Sequence, residues 1–254
     1  MDLISDDYRK EITSTSIVEL QQLTKWQKIH HGSWSTIIGG WAVWTYYQES
    51  FGSRDIDLIL PSELNKRAEI TDSYFPDHDI KTKSKDAFGS DVYYAKDIIF
   101  EGGQDEIVFD LFYPEKSRPD NDELGVTVDW KWVFDFSKEQ PIGNDCFIEV
   151  PDPELLLPIK MVAALSRLEE LKRTKDPARK LSKIWKDYYD VGILTKYVDF
   201  NQTQLESHMK KIGFTRDLVT RFLDGYIARS DALDNAKTTL IEVTDKIPSL
   251  KKKK

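Results

Sequence analysis

Strand-like apolar runs are concentrated before residue 150 of the chain, and helical spacing takes over from Pro151. Ile17, Val18, Leu20, Leu23 and Trp26 give a helix from about Ser16 to His30 one apolar face. Next, the short run Ile37-Ile38 breaks at Gly39-Gly40, Trp41 to Ser50 reads as a helix, and a second strand begins with Asp55-Ile56-Asp57-Leu58. Pro61-Ser62 opens a further helix to about Thr71, with Ser62 as its cap. Polar, turn-rich sequence fills Lys81 to Ser90. Val92 to Phe100 and Glu106 to Tyr113 then read as the arms of a hairpin, joined around Gly102-Gly103 by more than a two-residue turn. Pro119 to Glu123 is an acidic loop; Trp130 to Phe136 and Cys146 to Val150 read as two more strands, bounded by Pro141 and Gly143. Trp130 and Trp132, at period two, pack in the sheet or stack a base.

Asp152-Pro153-Glu154 supplies a cap, a first-turn proline and an acid at the positive helix end. The helix it starts reaches about Arg173, with Pro158 kinking or restarting it. Another follows Asp176-Pro177 and runs to Leu194. Asn201 caps the first of three closing helices at about 202–211, 215–229 and 231–246, with Phe214, Leu218, Phe222, Leu223 and Tyr226 as a core-facing stripe. The fold class that follows is α/β, a mixed twisted sheet with bracing helices over residues 1–150 and a helical domain over residues 151–254. The ligand site is expected in the cleft between them.

Composition narrows this little. A 40% hydrophobic chain with 12% aromatics suits a folded core, and one cysteine, Cys146, excludes an intramolecular disulfide. The first ten residues lack the apolar core of a signal peptide and no run approaches a membrane span, so the expectation is a cytoplasmic protein without membrane contact. A net charge of −8 argues against broad nucleic-acid binding, which rests on neutralising many phosphates. The charge is uneven: residues 105–123 are acidic, whereas residues 160–186 carry nine Lys or Arg against three acids. Lys172, Arg173, Lys175, Arg179 and Lys180 form either a landing site for RNA phosphate or a solvated loop. Lys251 to Lys254 make a short basic tail, and His30 and His31 lack a Cys or His at ligand spacing.

The candidate chemistry lies in Thr36 to Leu60. Side chains alternate along a strand, so Asp55 and Asp57 point the same way while Ile56 and Leu58 enter the core. Two carboxylates on one edge suit Mg²⁺, which is held by one or two carboxylates plus substrate phosphates. Gly39-Gly40 lets the backbone approach a ligand, and the following helix N-terminus offers N–H groups to phosphate. A nucleoside triphosphate with its metal is the natural guest. Asp110 stands in an apolar strand between Val108 and Phe112, where an isolated carboxylate is costly unless a cation meets it or it faces water at an edge. Lys160 and Arg167 lie two turns apart on nearly one helix face and hold a triphosphate tail or a solvated surface. Lys186 and Asp190, one turn apart, share a face as part of a site or as a surface ion pair.

Gly39-Gly40, the helix after it and Ser53-Arg54-Asp55-Ile56-Asp57 resemble the opening motif of the nucleotidyltransferase superfamily with the DNA polymerase beta-like fold. Within it the chain looks most like the AbiEii-type toxins of type IV toxin-antitoxin systems. PDPELLLPIKMVAALSR is similar to that group's second element, and Lys186-Asp187-Tyr188-Tyr189-Asp190 to its Lys-Asp-x-x-Asp element. The resemblance implies transfer of a nucleoside monophosphate from an NTP to RNA, in particular a tRNA 3′ end, with a separately encoded antitoxin as partner. It further implies that Asp55, Asp57 and Asp110 are catalytic and hold Mg²⁺ as two ions. Gly39, Gly40, Ser53, Lys160, Arg167, Lys186 and Asp190 are then nucleotide contacts. Two alternatives stand beside it, an antibiotic-modifying nucleotidyltransferase and a nucleotide- or partner-binding module without catalysis.

Overall fold

The computed structural model describes residues 10–32, 35–84, 92–100, 103–115, 118–121, 124–143 and 145–248. The basic tail at Lys251–Lys254 lies outside them. The first part holds α1 (Lys10–His31), β1 (Thr36–Ile38), α2 (Gly39–Tyr46), β2 (Ile56–Ile59) and α3 (Leu64–Glu69). A π turn (Ile70–Tyr74) carries α3 into the short α4 (Phe75–Asp77). Strands β3 (Lys81–Ser84), β4 (Val92–Phe100), β5 (Gly103–Phe112), β6 (Arg118–Asn121) and β7 (Val126–Val128) follow, then α5 (Trp130–Asp135), β8 (Ser137–Pro141) and β9 (Phe147–Pro151). Helices complete the chain: α6 (Pro153–Leu171), α7 (Pro177–Tyr197), α8 (Gln202–Ile212), α9 (Arg216–Ile227), α10 (Ser230–Asn235) and α11 (Leu240–Lys246).

Seven strands form one mixed sheet in the order β3-β4-β5-β2-β1-β9-β8, and β6 pairs with β7 apart from it. β2 runs parallel to β5 and β1 parallel to β9, while the other neighbours are antiparallel. The central strands are short and apolar because both faces are covered. All of β1 is buried, and in β2 only Asp57 keeps partial exposure. Helix α1 braces this centre through Ile12, Leu20 and Leu23, each fully buried. Its Ser16 hydroxyl donates to the Arg54 carbonyl (2.9 Å) and accepts from Trp41 Nε1 (3.0 Å), tying the brace to the segment that carries the acids. The helical region meets the sheet side at Phe51, which packs on Trp185 and Tyr189, and at Tyr47, whose ring stacks on Tyr197 at 4.0 Å.

Several boundaries depart from the pattern in the sequence. Residues 130–135 are helical, because Asp129 caps them by accepting from the Trp132 N–H (3.3 Å) and the two tryptophans sit on a short helix instead of alternating in a strand. The strand partner of β9 is β8. Lys81–Ser84 is an edge strand paired with β4, and Arg118–Asn121 is extended. The hairpin closes tightly, with Phe100 opposite Gly103. Helix α3 starts after Glu63, since the Arg67 guanidinium holds the Pro61 and Ser62 carbonyls and keeps that stretch extended. The expected last helix is two, α10 and α11, separated where Thr239 and Glu242 form a capping box. His30 belongs to the end of α1, its Nδ1 2.8 Å from the Trp26 carbonyl oxygen. Among the described residues no helix is long and apolar enough to cross a membrane.

Candidate active site

Register brings the acids together. Asp57 on β2 is the direct partner of Asp110 on parallel β5, and Ile38, the last residue of β1, is opposite Asp57 across the other edge. The chain turns from Ile38 into α2 at Gly39, whose φ of +72° is the left-handed region that glycine enters without a Cβ penalty. A Cβ on Gly39 would stand 2.0 Å from Asp57 Oδ2, and one on Gly40 2.8 Å from the Gly52 carbonyl oxygen and 2.9 Å from Ser53 Cβ. The glycine pair is therefore the floor on which the Asp57 carboxylate and the Ser53 loop are seated.

Asp55 lies just before the strand, which starts at Ile56. The alternation still holds, with Arg54, Ile56 and Leu58 buried and Asp55 and Asp57 partly open. Asp55 is engaged by two cations, Arg54 Nε at 2.9 Å and Lys183 Nζ of α7 at 3.1 Å. Burial alone would raise its pKa, but Lys183 and Arg54 outweigh it and hold the carboxyl at about 2. For Asp57 the balance is reversed: burial, then the charges of Asp110 and Asp55, push it up to about 7 against the pull of Lys160 and Lys183. Lys183→Met is expected to move the Asp55 titration upward, read by NMR of the side-chain carboxyl carbon; an unmoved titration would sink the role given to Lys183.

A cleft of about 540 Å³ opens over these residues. Gly39, Gly40, Ser53, Asp55, Asp57, Asp110, Lys160, Arg167, Lys186 and Asp190 all line it, so the structure gathers every site position read from the sequence into one cavity. Lys160 and Lys186 are buried, and Arg167 is partly so. Lys160 is 6% exposed and forms an ion pair with Asp190 Oδ2 at 2.8 Å, with Asp187 Oδ1 at 3.6 Å. Lys186, on the same turn as Asp190, bonds its other oxygen, and Arg167 bonds Asp187. Burial alone would depress Lys160, but Asp190 and Asp187 raise it, whereas burial lowers Lys186 despite Asp190. Three cations over two buried acids leave a local excess of positive charge above the carboxylates. A second basin of about 430 Å³ adjoins the cleft. Tyr93, Glu106, Val108, Arg179 and Lys183 are among its walls, and Asp55 and Asp110 line both cavities.

The sequence reading omitted Arg54, Lys183 and Asp187. Arg54 stands inside the Ser-Arg-Asp-Ile-Asp motif and Asp187 inside Lys-Asp-x-x-Asp, so both were in view, but nothing local says which acid a cation from α7 will reach.

The donor set suits a divalent cation in part. Among the described residues no three His, Cys, Asp or Glu side chains stand together as a ligand group, and Asp55 faces Arg54 and Lys183. The crowded pair of Asp57 and Asp110 does fit Mg²⁺, whose remaining positions are commonly taken by phosphate oxygens and water. The three-acid shell implied by the resemblance is thus represented in this structure by a pair, with the third acid held by cations.

No family model and no curated protein matches the sequence. In overall course the chain is similar to an antigenic nucleotidyltransferase-like protein from Paracoccidioides brasiliensis, at 17% identity over 87% of this chain and 94% of that one, with a TM-score of 0.46. It is similar also to JHP933 from Helicobacter pylori, at 13% identity over 94% of this chain and 89% of that one, with a TM-score of 0.44. These values are too low to assign chemistry, which rests on the cleft itself.

Proposed function

We propose that the protein is a metal-dependent nucleotidyltransferase that moves a nucleoside monophosphate from an NTP to a hydroxyl of RNA, of the kind performed by AbiEii-like toxins on a tRNA 3′ end. Residues 1–150 would form its catalytic core and residues 151–254 the domain that closes the cleft. The observation that carries the reading is the paired register of Asp57 and Asp110 beneath the Gly39 turn, in a cleft also lined by the buried Lys160 and Lys186 and the partly buried Arg167 and Lys183.

In this reading Asp57 and Asp110 would hold Mg²⁺, and the ion when bound would supply neutralisation of phosphate charge and a more acidic acceptor hydroxyl. Gly39, Gly40 and Ser53 receive the triphosphate, with the α2 N-terminus presenting N–H groups. The acceptor oxygen forms a bond to the α-phosphorus, the bond to the β-phosphate bridging oxygen breaks, and pyrophosphate leaves. The acceptor proton passes to Asp110, which lines the second basin. Lys160, Lys186 and Arg167 carry the positive excess that meets the charge building on pyrophosphate. Lys183 and Arg54 fix Asp55 at the boundary of the two cavities.

The walls of the second basin give a cationic antibiotic no electrostatic advantage as acceptor. Arg54, Arg179, Lys180 and Lys183 balance its acids there, so a polycation gains little. Incubating the protein with α-labelled NTPs, Mg²⁺ and either total RNA or aminoglycosides should label RNA alone. Label on the drug would replace the acceptor, and binding of NTP without transfer to anything would leave a module without catalysis. Growth arrest on expression, relieved by a neighbouring gene product and by Asp57→Ala, would support the toxin reading and an antitoxin partner.

A further inference from the structure

The cleft has one end whose residues the phosphate chemistry does not use. Phe112 follows Asp110 by two residues on the same face of β5, and its ring lies 4.7 Å from that of Trp130, which is 4% exposed. Helix α6 contributes Ile159, Val162, Ala163 and Ser166 to the same cavity. Positions 159, 163 and 166 recur at helical spacing and share a face. These side chains are uncharged, and two of them are small, so with the two rings they make this part of the cavity wall largely apolar. Ser166 is 8% exposed, and its hydroxyl finds no hydrogen-bond partner among the described residues. A hydroxyl in a helix commonly bonds back to the carbonyl one turn before it; here it is left over. A buried polar group without a partner is costly; the Ser166 oxygen is closed off from the cavity in this rotamer, and a turn about its Cα–Cβ bond would bring it to a ligand that supplies the partner.

We propose that this apolar part of the cavity is the slot that seats the nucleobase, with the ring against the Phe112–Trp130 wall and the Ile159–Ala163 face and the Ser166 hydroxyl bonded to a polar edge of the base. The inference rests on the nucleotidyltransferase reading and adds to it the residues that recognise the base. A flat heterocycle fits the apolar walls and stacks on aromatic rings, whereas a phosphate would be desolvated there without a counter-ion. The hydroxyl both donates and accepts, so Ser166 sets a preference among bases without excluding any.

Nucleotide affinity with and without a base tests this directly. The four NTPs and inorganic tripolyphosphate are titrated in Mg²⁺ into the wild-type protein, Ala163→Leu and Ser166→Ala, by calorimetry and by tryptophan fluorescence. Ala163 is partly exposed and lines the cleft, so leucine there fills the slot; circular dichroism and melting confirm that each variant is folded. Ala163→Leu is expected to weaken NTP binding by about tenfold or more and to leave tripolyphosphate within about twofold. Ser166→Ala, which removes one hydrogen bond, should alter the ranking of the four NTPs by roughly three- to tenfold with tripolyphosphate unchanged. Equal weakening of NTP and tripolyphosphate, or no weakening of either, overturns the base slot while leaving the transferase reading intact. Failure of the wild-type protein to bind either ligand overturns both.

Discussion

Asp57→Asn is expected to reduce nucleotidyl transfer on the order of 10³-fold, the scale for a group acting directly on transition-state charge, and at the same time to stabilise the metal-free protein in mild alkali. The second effect follows from the pKa. Burial and then the charges of Asp110 and Asp55 push the Asp57 carboxyl from an ordinary 3.8 up to about 7. Between those values the folded chain retains a proton that the unfolded chain has released, so stability is highest below the lower value and falls as pH rises through the upper one. Discounted for partial exposure, the ionised carboxylate costs the metal-free fold on the order of 1–3 kcal/mol. Asparagine keeps the shape and removes the charge. Melting in EDTA should therefore show the variant ahead of wild type at about pH 8 and level with it at about pH 4. Added Mg²⁺ should close the gap by raising wild type alone. A wild-type melting temperature in EDTA that is flat across this range would defeat the assignment, as would a variant with full activity.

The second large effect is expected at Asp190. Its carboxylate is fully buried and answers both Lys160 and Lys186, themselves nearly buried. Asp190→Ala leaves two ammonium groups facing Asp187, which Arg167 already holds. Removing one partner of such a cluster costs about 3–5 kcal/mol, because a desolvated charge is stranded. Urea unfolding should report a loss of that size. Replacing Lys186 and Asp190 together, as Lys186→Met with Asp190→Leu, should recover a substantial part, since Lys160 retains Asp187 and no stranded pair remains. If the double variant is as unstable as the sum of the singles, the two side chains are not energetically coupled.

What the sequence disclosed was chiefly what depends on near neighbours. Asp55 and Asp57 could be placed on one side of a strand because alternation is a local rule, and Gly39-Gly40 could be placed at a tight turn because a turn without Cβ is a local device; the structure sets that turn in the cleft wall. The pairing of Asp57 with Asp110 was legible only as a guess about a later strand, since register between distant segments is fixed by the whole sheet. The ion cluster shows the same limit. Lys186 and Asp190 were visibly one turn apart, but whether they faced water depended on α6 packing over α7, and the structure buries them. Trp130 and Trp132 misled because alternation over so short a run is shared by strands and single helical turns; the Asp129 cap distinguished them. The capping box at Thr239 and Glu242 was a comparable mark at the split between α10 and α11.

Asp55, Asp110, Lys180 and Lys183 are walls common to both cavities. A site bordered by two adjoining cavities need not admit its guests in a fixed queue. On the proposed reading pyrophosphate would depart through the cleft while a long polymer stays engaged in the adjoining basin, so a chain end would be extended or released without first being threaded past the spent leaving group.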